Sequence, residues 1–499
     1  MVLSYQSTRG GEAGVTASQA ILKGLACDGG LFMPTEIPAL DVPVERLAGM
    51  TYQETAYEVM KLFLTDFTEE ELKGCIARAY DSKFDTEEIA PLAKADGAYF
   101  LELYHGSTIA FKDMALSILP HLMTVAAKKN QVDKEIVILT ATSGDTGKAA
   151  MAGFADVPGT RIIVFYPKDG VSKVQELQMR TQKGANTSVV AIHGNFDDAQ
   201  TGVKKLFGDK ALEAKLAENG YQFSSANSIN IGRLVPQIVY YVYAYAKLFE
   251  NGEIEKGEEI NVTVPTGNFG NILAAYFAKR MGLPIKTLIC ASNDNKVLYD
   301  FFTTGTYDRK REFILTNSPS MDILISSNLE RLIYMSTGCD AAANAALMRD
   351  LSENGSYTVT GDMRRFMADF AGGYATQQEN ADTIRRIFED TGYLVDTHTG
   401  VAATVYGSYS EKTGDMAKTV IASTASPYKF SRSVMEAIAG PDKISGLDEF
   451  AVVDALSRLS GVPVPSAVEE IRNAEIRHNL ECDVDKMEDT VKGLSLIHI

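Results

Sequence analysis

The alternation of predicted strands and helices after residue 134 most strongly limits the folds open to this chain. Strands are predicted at 135–140, 161–166 and 188–192, each followed by a helical segment, and strands at 260–264 and 285–291 enclose another helix. Such alternation is typical of parallel sheets with helices on both faces. Right-handed crossovers bring the strand-to-helix loops to one edge of the sheet, where ligands bind. The fold class is therefore predicted to be α/β.

The same pattern suggests how the chain is divided. Its 499 residues are enough for two or three domains. We predict a mainly helical N-terminal domain over 1–95, a central α/β region over 96–440 and a C-terminal helical segment over 441–492. Within the central region, a smaller α/β subdomain should span about 118–220. Residues 493–499 follow a charged helix, have no evident partner and are interpreted as a non-native tail.

Composition excludes several classes of function. The net charge of −17 does not favour binding to nucleic acid or to anionic membranes. No apolar run reaches the length needed to span a membrane, and the first residues do not form a secretory signal. The five cysteines are scattered and odd in number, which favours reduced thiols in the cytoplasm. The six histidines lie apart from one another and from the cysteines, so no metal site is predicted.

The segment 105–114 contains the lysine with the strongest indication of chemistry. A glycine and two hydroxyl residues lead into Lys112, and Phe111 and Met114 are among the apolar residues around it. An apolar setting favours the neutral amine, because a buried ammonium is costly. A neutral, partly desolvated lysine is the nucleophile that forms Schiff bases with carbonyls. A solvated lysine in the first turn of a helix is the alternative, which this segment alone leaves open.

A glycine-containing loop after the predicted strand 260–264 is the best site for a phosphate. It lies before a predicted helix, whose free N–H groups and dipole favour an anion. No lysine follows its second glycine and the dinucleotide spacing is absent, so a phosphate monoester fits better than a nucleotide. A tight turn that simply requires glycine is the alternative. The loop residues are Gly267, Asn268, Phe269, Gly270 and Asn271.

A second loop, after the predicted strand 135–140, also leads into a helix. Its carboxylate argues against a large anion, so a ligand the size of a carboxylate group is predicted there. The residues of this loop and its first helical turn include Ser143, Gly144, Asp145, Thr146 and Lys148.

A third loop, 423–427, ends a predicted strand with hydroxyl residues. A hydroxyl bonded to a pyridine nitrogen would leave that nitrogen largely neutral, although serine and threonine are also common in turns. A desolvated lysine, a phosphate site and a carboxylate site are together the minimum set for pyridoxal phosphate acting on an amino acid. The sequence therefore predicts this cofactor.

At this point the motifs are similar to those of a known family. The chain resembles the threonine synthases, which are pyridoxal-phosphate enzymes of the tryptophan-synthase-β group, fold type II. The long microbial and fungal type is the more similar, and the resemblance covers nearly the whole chain. It implies two open α/β domains with parallel sheets and the cofactor between them. The matching motifs lie at 7–10, 24–31, 105–113, 143–147, 227–233, 267–271, 396–399 and 424–430.

The resemblance also implies roles for individual residues. Lys112 is expected to carry the cofactor, the loop 267–271 to hold its phosphate and Thr424 to contact the pyridine nitrogen. Asn227, or Asn230 in its place, is expected near the ring hydroxyl. Residues 143–146 are expected to bind the substrate carboxylate. The cations considered for the substrate phosphate are Lys148, Arg233, Lys429 and Arg432.

Four positions depart from the pattern of many relatives. Asn271 replaces aspartate, Ser426 replaces histidine, and Ser107 and Thr397 replace proline. The loss of a carboxylate at Asn271 should not weaken phosphate binding, whereas Ser426 removes any role for a histidine at its position.

The resemblance implies a reaction that converts O-phospho-L-homoserine and water into L-threonine and phosphate. The protein is expected to be a monomer or a homodimer. Two alternatives remain open from the sequence. A sister lyase, such as a serine/threonine dehydratase or a phospholyase, would keep Lys112 and release a keto acid. A non-catalytic relative would bind the cofactor or a metabolite and act in signalling.

Overall fold

The protein is described by a computed structural model covering residues 2–142, 144–171 and 173–496. The predicted α/β class is confirmed, with two sheets that consist mainly of parallel strands. The strands are β1 (Tyr5–Ser7), β2 (Phe32–Pro34), β3 (Leu92–Ala95), β4 (Ala98–Glu102), β5 (Glu135–Ala141), β6 (Thr160–Pro167), β7 (Thr187–His193), β8 (Tyr221–Ser224), β9 (Ile260–Pro265), β10 (Ile285–Ser292), β11 (Thr306–Asp308), β12 (Ser356–Thr358), β13 (Phe370–Tyr374), β14 (Thr419–Ser423) and β15 (Leu480–Asp483).

Helices cover the faces of both sheets. Those of the first half are α1 (Ala17–Lys23), α2 (Val44–Ala48), α3 (Tyr52–Phe63), α4 (Glu69–Ala79), α5 (Asp113–Leu116), α6 (Leu119–Lys129), α7 (Asp145–Phe154), α8 (Lys173–Arg180), α9 (Phe196–Gly208), α10 (Lys210–Glu218) and α11 (Ile231–Glu250). Those of the second half are α12 (Gly270–Arg280), α13 (Val297–Thr304), α14 (Leu329–Ser336), α15 (Ala341–Asn354), α16 (Gly361–Phe366), α17 (Gln377–Thr391), α18 (Thr397–Thr413), α19 (Ser431–Ala439), α20 (Glu449–Ser460), α21 (Ser466–Arg472) and α22 (Met487–Leu496). Short 3-10 helices lie at Pro319–Met321, Pro427–Phe430, Pro441–Lys443 and Val484–Lys486.

The larger sheet has six strands in the order β13-β10-β9-β14-β4-β3. Its strands are parallel except for β3, which pairs antiparallel with β4. Every residue of the central strands β9 and β14 is buried, as expected for strands covered on both faces. The carboxyl ends of β4, β14 and β9 are neighbours, so the loops that follow these strands meet at one edge.

The smaller sheet has five parallel strands in the order β15-β7-β6-β5-β8. Two of them lie outside the predicted subdomain of about 118–220. Strand β8 follows directly after it, and β15 comes from the far end of the chain. Strand β15 has four residues, which are mostly polar and mostly exposed. Its extended form therefore depends on pairing with β7.

The N-terminal region is mainly helical, as predicted, but it also contains strands. Strands β1 and β2 form a small antiparallel sheet, and β3 joins the larger sheet. Helices α3 and α4 each begin at a capping box, in which Thr51 or Thr68 bonds reciprocally with the glutamate three residues later. Their apolar faces pack into the main core around α11, whose residues are almost all buried.

The segment between Lys112 and Asn130 forms two helices. Helix α5 ends at Leu116, and α6 begins at Leu119 with Pro120 in its first turn. A proline in the first helical turn causes no loss of a hydrogen bond, because the first N–H groups of a helix have no partner within it. Pro120 therefore lies at the start of a helix.

The end of the chain differs in part from its predicted description. The segment 441–492 is not only helical, since it contains β15. Residues 493–496 continue helix α22, and the interpretation of 493–499 as a non-native tail stays a prediction. The carbonyl of Leu494 accepts a hydrogen bond from Arg161 of β6 at 2.9 Å. Residues 497–499 lie outside the part of the chain that the structure describes.

The packing of α22 on the smaller sheet can be tested with Met487→Ala. Met487 is 2% exposed and lies in the cluster that covers β5, β6 and β7. Truncation of a buried methionine costs about 2–5 kcal/mol of stability. We expect native-state hydrogen exchange to show this loss in the amides of the smaller sheet. The control is Met416→Ala, because Met416 is 88% exposed and its truncation should change stability by less than about 0.5 kcal/mol. Equal effects of the two variants would contradict the packing described.

Candidate active site

Loops from three neighbouring strands of the larger sheet converge at its carboxyl edge. The loop after β4 carries Lys112 and runs alongside the loop after β14. Phe111 donates its backbone N–H to the Thr424 carbonyl at 2.8 Å, and Ser426 donates to the Ile109 carbonyl at 3.0 Å. These two bonds connect the predicted Schiff-base lysine to the predicted partner of the pyridine nitrogen.

The backbone around Lys112 is held in an unusual conformation. Ile109 has φ +53°, a region that β-branched residues rarely adopt and that often occurs at functional sites. The Asp113 carboxylate accepts hydrogen bonds from the Thr108 N–H at 2.8 Å and from the Thr108 hydroxyl at 2.6 Å. These bonds close the loop immediately before the lysine and fix where its side chain begins.

The side chain of Lys112 is largely buried, with 11% of it exposed. Its Nζ lies 3.2 Å from the Ser320 hydroxyl and 3.9 Å from the Asp145 carboxylate. Burial lowers the pKa of Lys112 to about 8, and the nearby Asp145 carboxylate opposes this shift. A substantial fraction of the lysine is therefore a neutral amine at mildly alkaline pH. The structure thus places Lys112 in a largely buried position and not in solvent.

Asp145 approaches Lys112 from the other sheet, since it begins helix α7 after β5. Its carboxylate accepts hydrogen bonds from the Ser320 hydroxyl and from the Gln175 amide, both at 3.1 Å, and lies 3.3 Å from the Lys429 Nζ. Burial alone would raise the pKa of Asp145, but Lys429 and Lys112 outweigh it and hold the pKa well below its usual range. Asp145 is therefore an anion, and its contacts join the two sheets.

Lys429 lies in the 3-10 helix Pro427–Phe430, and its side chain is completely buried. Its Nζ donates to the Thr108 carbonyl at 2.7 Å and pairs with Asp145. A buried cation of this kind requires anionic or carbonyl partners, and here it has both. The site therefore contains a second lysine close to Lys112.

The predicted phosphate loop lies between β9 and α12. Phe269 has φ +63° and directly precedes the first residue of α12, Gly270. The first N–H groups of α12 therefore have no partner within the helix and can bind an anion. At Gly267, an added Cβ would lie 2.5 Å from the Ser320 carbonyl, so only glycine fits against that turn. This close approach places the loop beside the Ser320 turn that contacts Lys112.

Asn271 adds a side-chain donor to this loop. Its Oδ1 accepts a hydrogen bond from the Tyr241 hydroxyl, whereas its Nδ2 is buried and has no partner among the described residues. A buried amide donor without a partner is costly unless a ligand completes it. The arrangement fits the phosphate of the predicted cofactor, which would accept this bond.

Thr424 and Asn227 occupy different environments. Thr424 is buried, its carbonyl is bonded to Phe111, and its hydroxyl has no hydrogen-bond partner in the described part of the chain. That hydroxyl is available for a ring nitrogen. Asn227 is exposed, whereas Asn230 is buried and caps α11 while donating to the Ile21 carbonyl at 3.0 Å. Asn230 is therefore committed to the fold, and of the two only Asn227 keeps its side chain available.

The loop predicted to bind a carboxylate is described except for Ser143, which lies outside the described residues. Gly144 has φ +135°, a conformation that requires glycine. The Thr142 hydroxyl accepts the N–H groups of Gly144 and Gly147, both at 3.0 Å. Thr146 is half-buried in the first turn of α7. The loop is thus held by its own residues, and Asp145 points to the lysines.

The other predicted cations are placed less directly. Lys148 donates to the Gln182 side chain, and burial lowers its pKa to about 8. Arg233 is buried and donates to the Ala226 carbonyl at 3.0 Å, and burial lowers its pKa to about 10. Arg432 pairs with Glu449 at 3.2 Å. Of the four candidates, Lys429 is the one that makes an ion pair with Asp145, the carboxylate beside Lys112.

Sequence reasoning missed Ser320, whose hydroxyl touches both Lys112 and Asp145. His398 supports this residue, because its Nε2 accepts the Ser320 backbone N–H at 3.1 Å. The motif 396–399 indicated His398 only through the family resemblance. Nothing in the residues around Ser320 indicated chemistry, since serine beside proline is common in turns.

Among the described residues, no helix is both long enough and apolar enough to cross a membrane. Within the same residues, no group of three or more His, Cys, Asp and Glu side chains is arranged to hold a metal ion.

Fold and site together define a pyridoxal-phosphate dependent enzyme of fold type II. Residues 85–425 match the family described as "Pyridoxal-phosphate dependent enzyme", and residues 4–80 match "Threonine synthase N terminus". The chain belongs to the threonine synthase family.

Individual relatives agree with this assignment. The threonine synthase of Schizosaccharomyces pombe is 37% identical over 88% of this chain and 90% of its own length. Threonine synthase-like 1 of Homo sapiens is 38% identical over 84% of this chain, which corresponds to 58% of that longer protein. The crystal structure of PLP-bound threonine synthase from Brucella melitensis has a TM-score of 0.87, with 34% identity over 99% of this chain and 100% of that chain.

The lowered pKa of Lys112 predicts how the cofactor-free protein takes up pyridoxal phosphate. The rate of cofactor binding should rise with pH and level off above about pH 8, because the neutral amine of Lys112 is the attacking form. An ordinary lysine would show this rise near pH ~10.4. Stopped-flow absorbance across this pH range measures the midpoint, with Lys112→Arg as the control that should not form the covalent adduct. A midpoint above pH ~10 would contradict the burial described.

Proposed function

We propose that this enzyme converts O-phospho-L-homoserine and water into L-threonine and phosphate. The observation that carries the proposal is the convergence of Lys112, Thr424 and the loop 267–271 at the ends of β4, β14 and β9. Family membership supports the same reaction, as does a second group of buried cations beside Lys112. Such a group suits a substrate that carries its own phosphate.

The residues present divide the work of holding the cofactor. The N–H groups at the start of α12 and the Asn271 amide would bind its phosphate, Thr424 would contact the ring nitrogen, and Lys112 would carry it. When bound, pyridoxal phosphate supplies the electron sink that makes loss of the substrate's α proton possible. These assignments follow the sequence predictions, with Asn271 added as a side-chain donor.

Lys112 is proposed as the base that removes the α proton. Its pKa of about 8 lies close to working pH, so the amine can accept a proton and later return it. A second proton leaves the β carbon and the γ-phosphate departs. A proton is then returned to the γ carbon, which becomes the methyl group. Water adds its hydroxyl at the β carbon, and the α carbon regains its proton from Lys112. Exclusion of bulk water would protect the reactive stages. The contacts of Asp145 with Lys429 and Ser320 hold the two sheets together around that space.

Lys429 is proposed as the main cation for the substrate phosphate. It is buried, lies close to Lys112, and is already paired with Asp145 at 3.3 Å. An ammonium has three donors. Two are directed at Thr108 and Asp145, which leaves one for a phosphate oxygen. Lys148 acts electrostatically with Lys429, and Arg233 acts on Lys112, so both would add positive potential to the site.

The reaction itself is tested by incubating the holoenzyme with O-phospho-L-homoserine. We expect threonine and phosphate in equal amounts, and Lys112→Ala should lose turnover by at least about 10⁴-fold because both the tether and the base are removed. Amino-acid analysis and a phosphate assay measure the products. Accumulation of 2-oxobutyrate instead of threonine would support the sister lyase. A folded protein that binds cofactor but converts no substrate would favour the signalling alternative.

The role of Lys429 is tested by comparing Lys429→Met with Arg432→Met. Loss of a buried charge-assisted contact costs about 2–4 kcal/mol, so kcat/KM for the phosphorylated substrate should fall by about 30- to 1000-fold. Arg432 is paired with Glu449 and partly exposed, so its replacement should change kcat/KM less than about threefold. Steady-state kinetics measure both, and equal losses would exclude a specific role for Lys429.

We also propose that the enzyme works in the cytoplasm, as a monomer or homodimer. The cysteines support an intracellular site, because all five are unpaired in the structure.

A further inference from the structure

Ser320 lies at the point where the two sheets and the lysine meet. It belongs to the 3-10 helix Pro319–Met321, in the connection between β11 and α14. Its hydroxyl accepts a hydrogen bond from the Lys112 Nζ at 3.2 Å and donates one to Asp145 at 3.1 Å. The direct separation of Lys112 and Asp145 is 3.9 Å, which is too long for a hydrogen bond. The hydroxyl is therefore the connection between the amine and the carboxylate.

The position of Ser320 is fixed from behind by a buried histidine. His398 Nε2 accepts the Ser320 backbone N–H at 3.1 Å, so its Nδ1 must carry the ring proton. That Nδ1 donates to the Asp396 carboxylate at 2.8 Å. Asp396 is completely buried and caps α18, and the ring of Phe430 packs against the imidazole with 4.8 Å between centroids. The histidine is thus held in one tautomer and one orientation.

The rest of the turn is equally constrained. Asn293 donates to the Ser318 hydroxyl at 3.0 Å and to Asp322 at 2.8 Å, and Thr316 donates to Asp322 at 2.8 Å. The carbonyl of Ser320 faces Gly267 of the phosphate loop. A turn held at this many points keeps the hydroxyl within hydrogen-bond distance of Lys112.

A hydroxyl differs from the other groups around Lys112 in one chemical respect. It can accept from an ammonium and can also donate to a neutral amine, with only a rotation of its own proton. Asp145 can only accept, and the ammonium of Lys429 can only donate. The remaining charged groups that act on Lys112 are Arg233 and Asp113. A base that gains and loses a proton during each turnover needs a partner that suits both states.

We propose that Ser320 is a further catalytic residue, whose hydroxyl holds the Lys112 nitrogen in position both as an amine and as an ammonium. While the lysine is charged, the hydroxyl accepts a hydrogen bond from the ammonium and donates one to Asp145. When the lysine is neutral, the same proton turns towards its lone pair. His398 is a positioning residue, because it acts only through the backbone of Ser320. The inference rests on the proposed role of Lys112 as the base, and not on which product is released.

The test uses the full-length chain without cofactor, so that its result does not depend on the substrate. Lysines are labelled with acetic anhydride at a series of pH values, and the peptide containing Lys112 is quantified by mass spectrometry. In Ser320→Ala both states of Lys112 lose a partner, but the charge-assisted bond to the ammonium is the stronger of the two, so the labelling midpoint should fall by about one pH unit. Ser320→Thr keeps a hydroxyl and should keep the midpoint close to that of the wild type.

Ser318→Ala is the matched control in the same turn. Its hydroxyl bonds to Asn293 and Thr316 and not to Lys112. This variant should leave the Lys112 midpoint unchanged, even if it loosens the turn and lowers stability. If Ser320→Ala does not fold, Ser320→Cys provides the same comparison, because a thiol is a weak donor and acceptor.

The holoenzymes complete the test. Ser320→Ala should lower kcat by at least about tenfold with a smaller change in KM, and Ser320→Thr should recover most of the loss. An unchanged midpoint in Ser320→Ala, or an equal shift in Ser318→Ala, would overturn the proposal. The labelling midpoints of the three variants could follow the expected pattern while the enzyme releases a product other than threonine. That result would overturn the proposed reaction and would still support the role of Ser320.

Discussion

The burial of Lys112 beside a buried carboxylate is the interaction on which the site depends. Desolvation favours the neutral amine, while Asp145 favours the charged form, and the balance holds the pKa at about 8. The two residues come from different sheets, since Lys112 follows β4 and Asp145 follows β5. The chemistry of the lysine therefore requires that the loops of both sheets meet at the Ser320 turn.

The cations proposed to hold anions in this acidic protein are local and buried. The net charge of −17 is spread over the whole chain, and exposed charges are screened within about 8–10 Å by physiological salt. Lys429 and the N–H groups of α12 are shielded from solvent and screened far less. Their field at the site outweighs that of distant carboxylates. The overall negative charge does not favour the binding of polyanions such as nucleic acid.

The parts of the site that sequence predicted are those whose chemistry is local. The phosphate loop needs two glycines and a helix start, and Lys112 needs apolar neighbours, so each is visible within a few residues. Ser320 and β15 are different, because their roles exist only through partners more than 170 residues away. Strand β15 is four residues long and has no apolar alternation, and pairing with β7 alone makes it a strand. Tertiary contacts of this kind override local propensity.

The ion pair between Lys429 and Asp145 has a consequence for substrate selection. A substrate phosphate that approaches Lys429 must share this cation with Asp145, which is itself an anion at every working pH. A monoanionic group competes poorly against a buried carboxylate, whereas a dianionic phosphate offers more charge and more acceptors. The same carboxylate would repel a phosphate group placed beside Lys112. For the proposed reaction, Asp145 would therefore favour substrates whose phosphate lies away from the α carbon, as it does in O-phospho-L-homoserine.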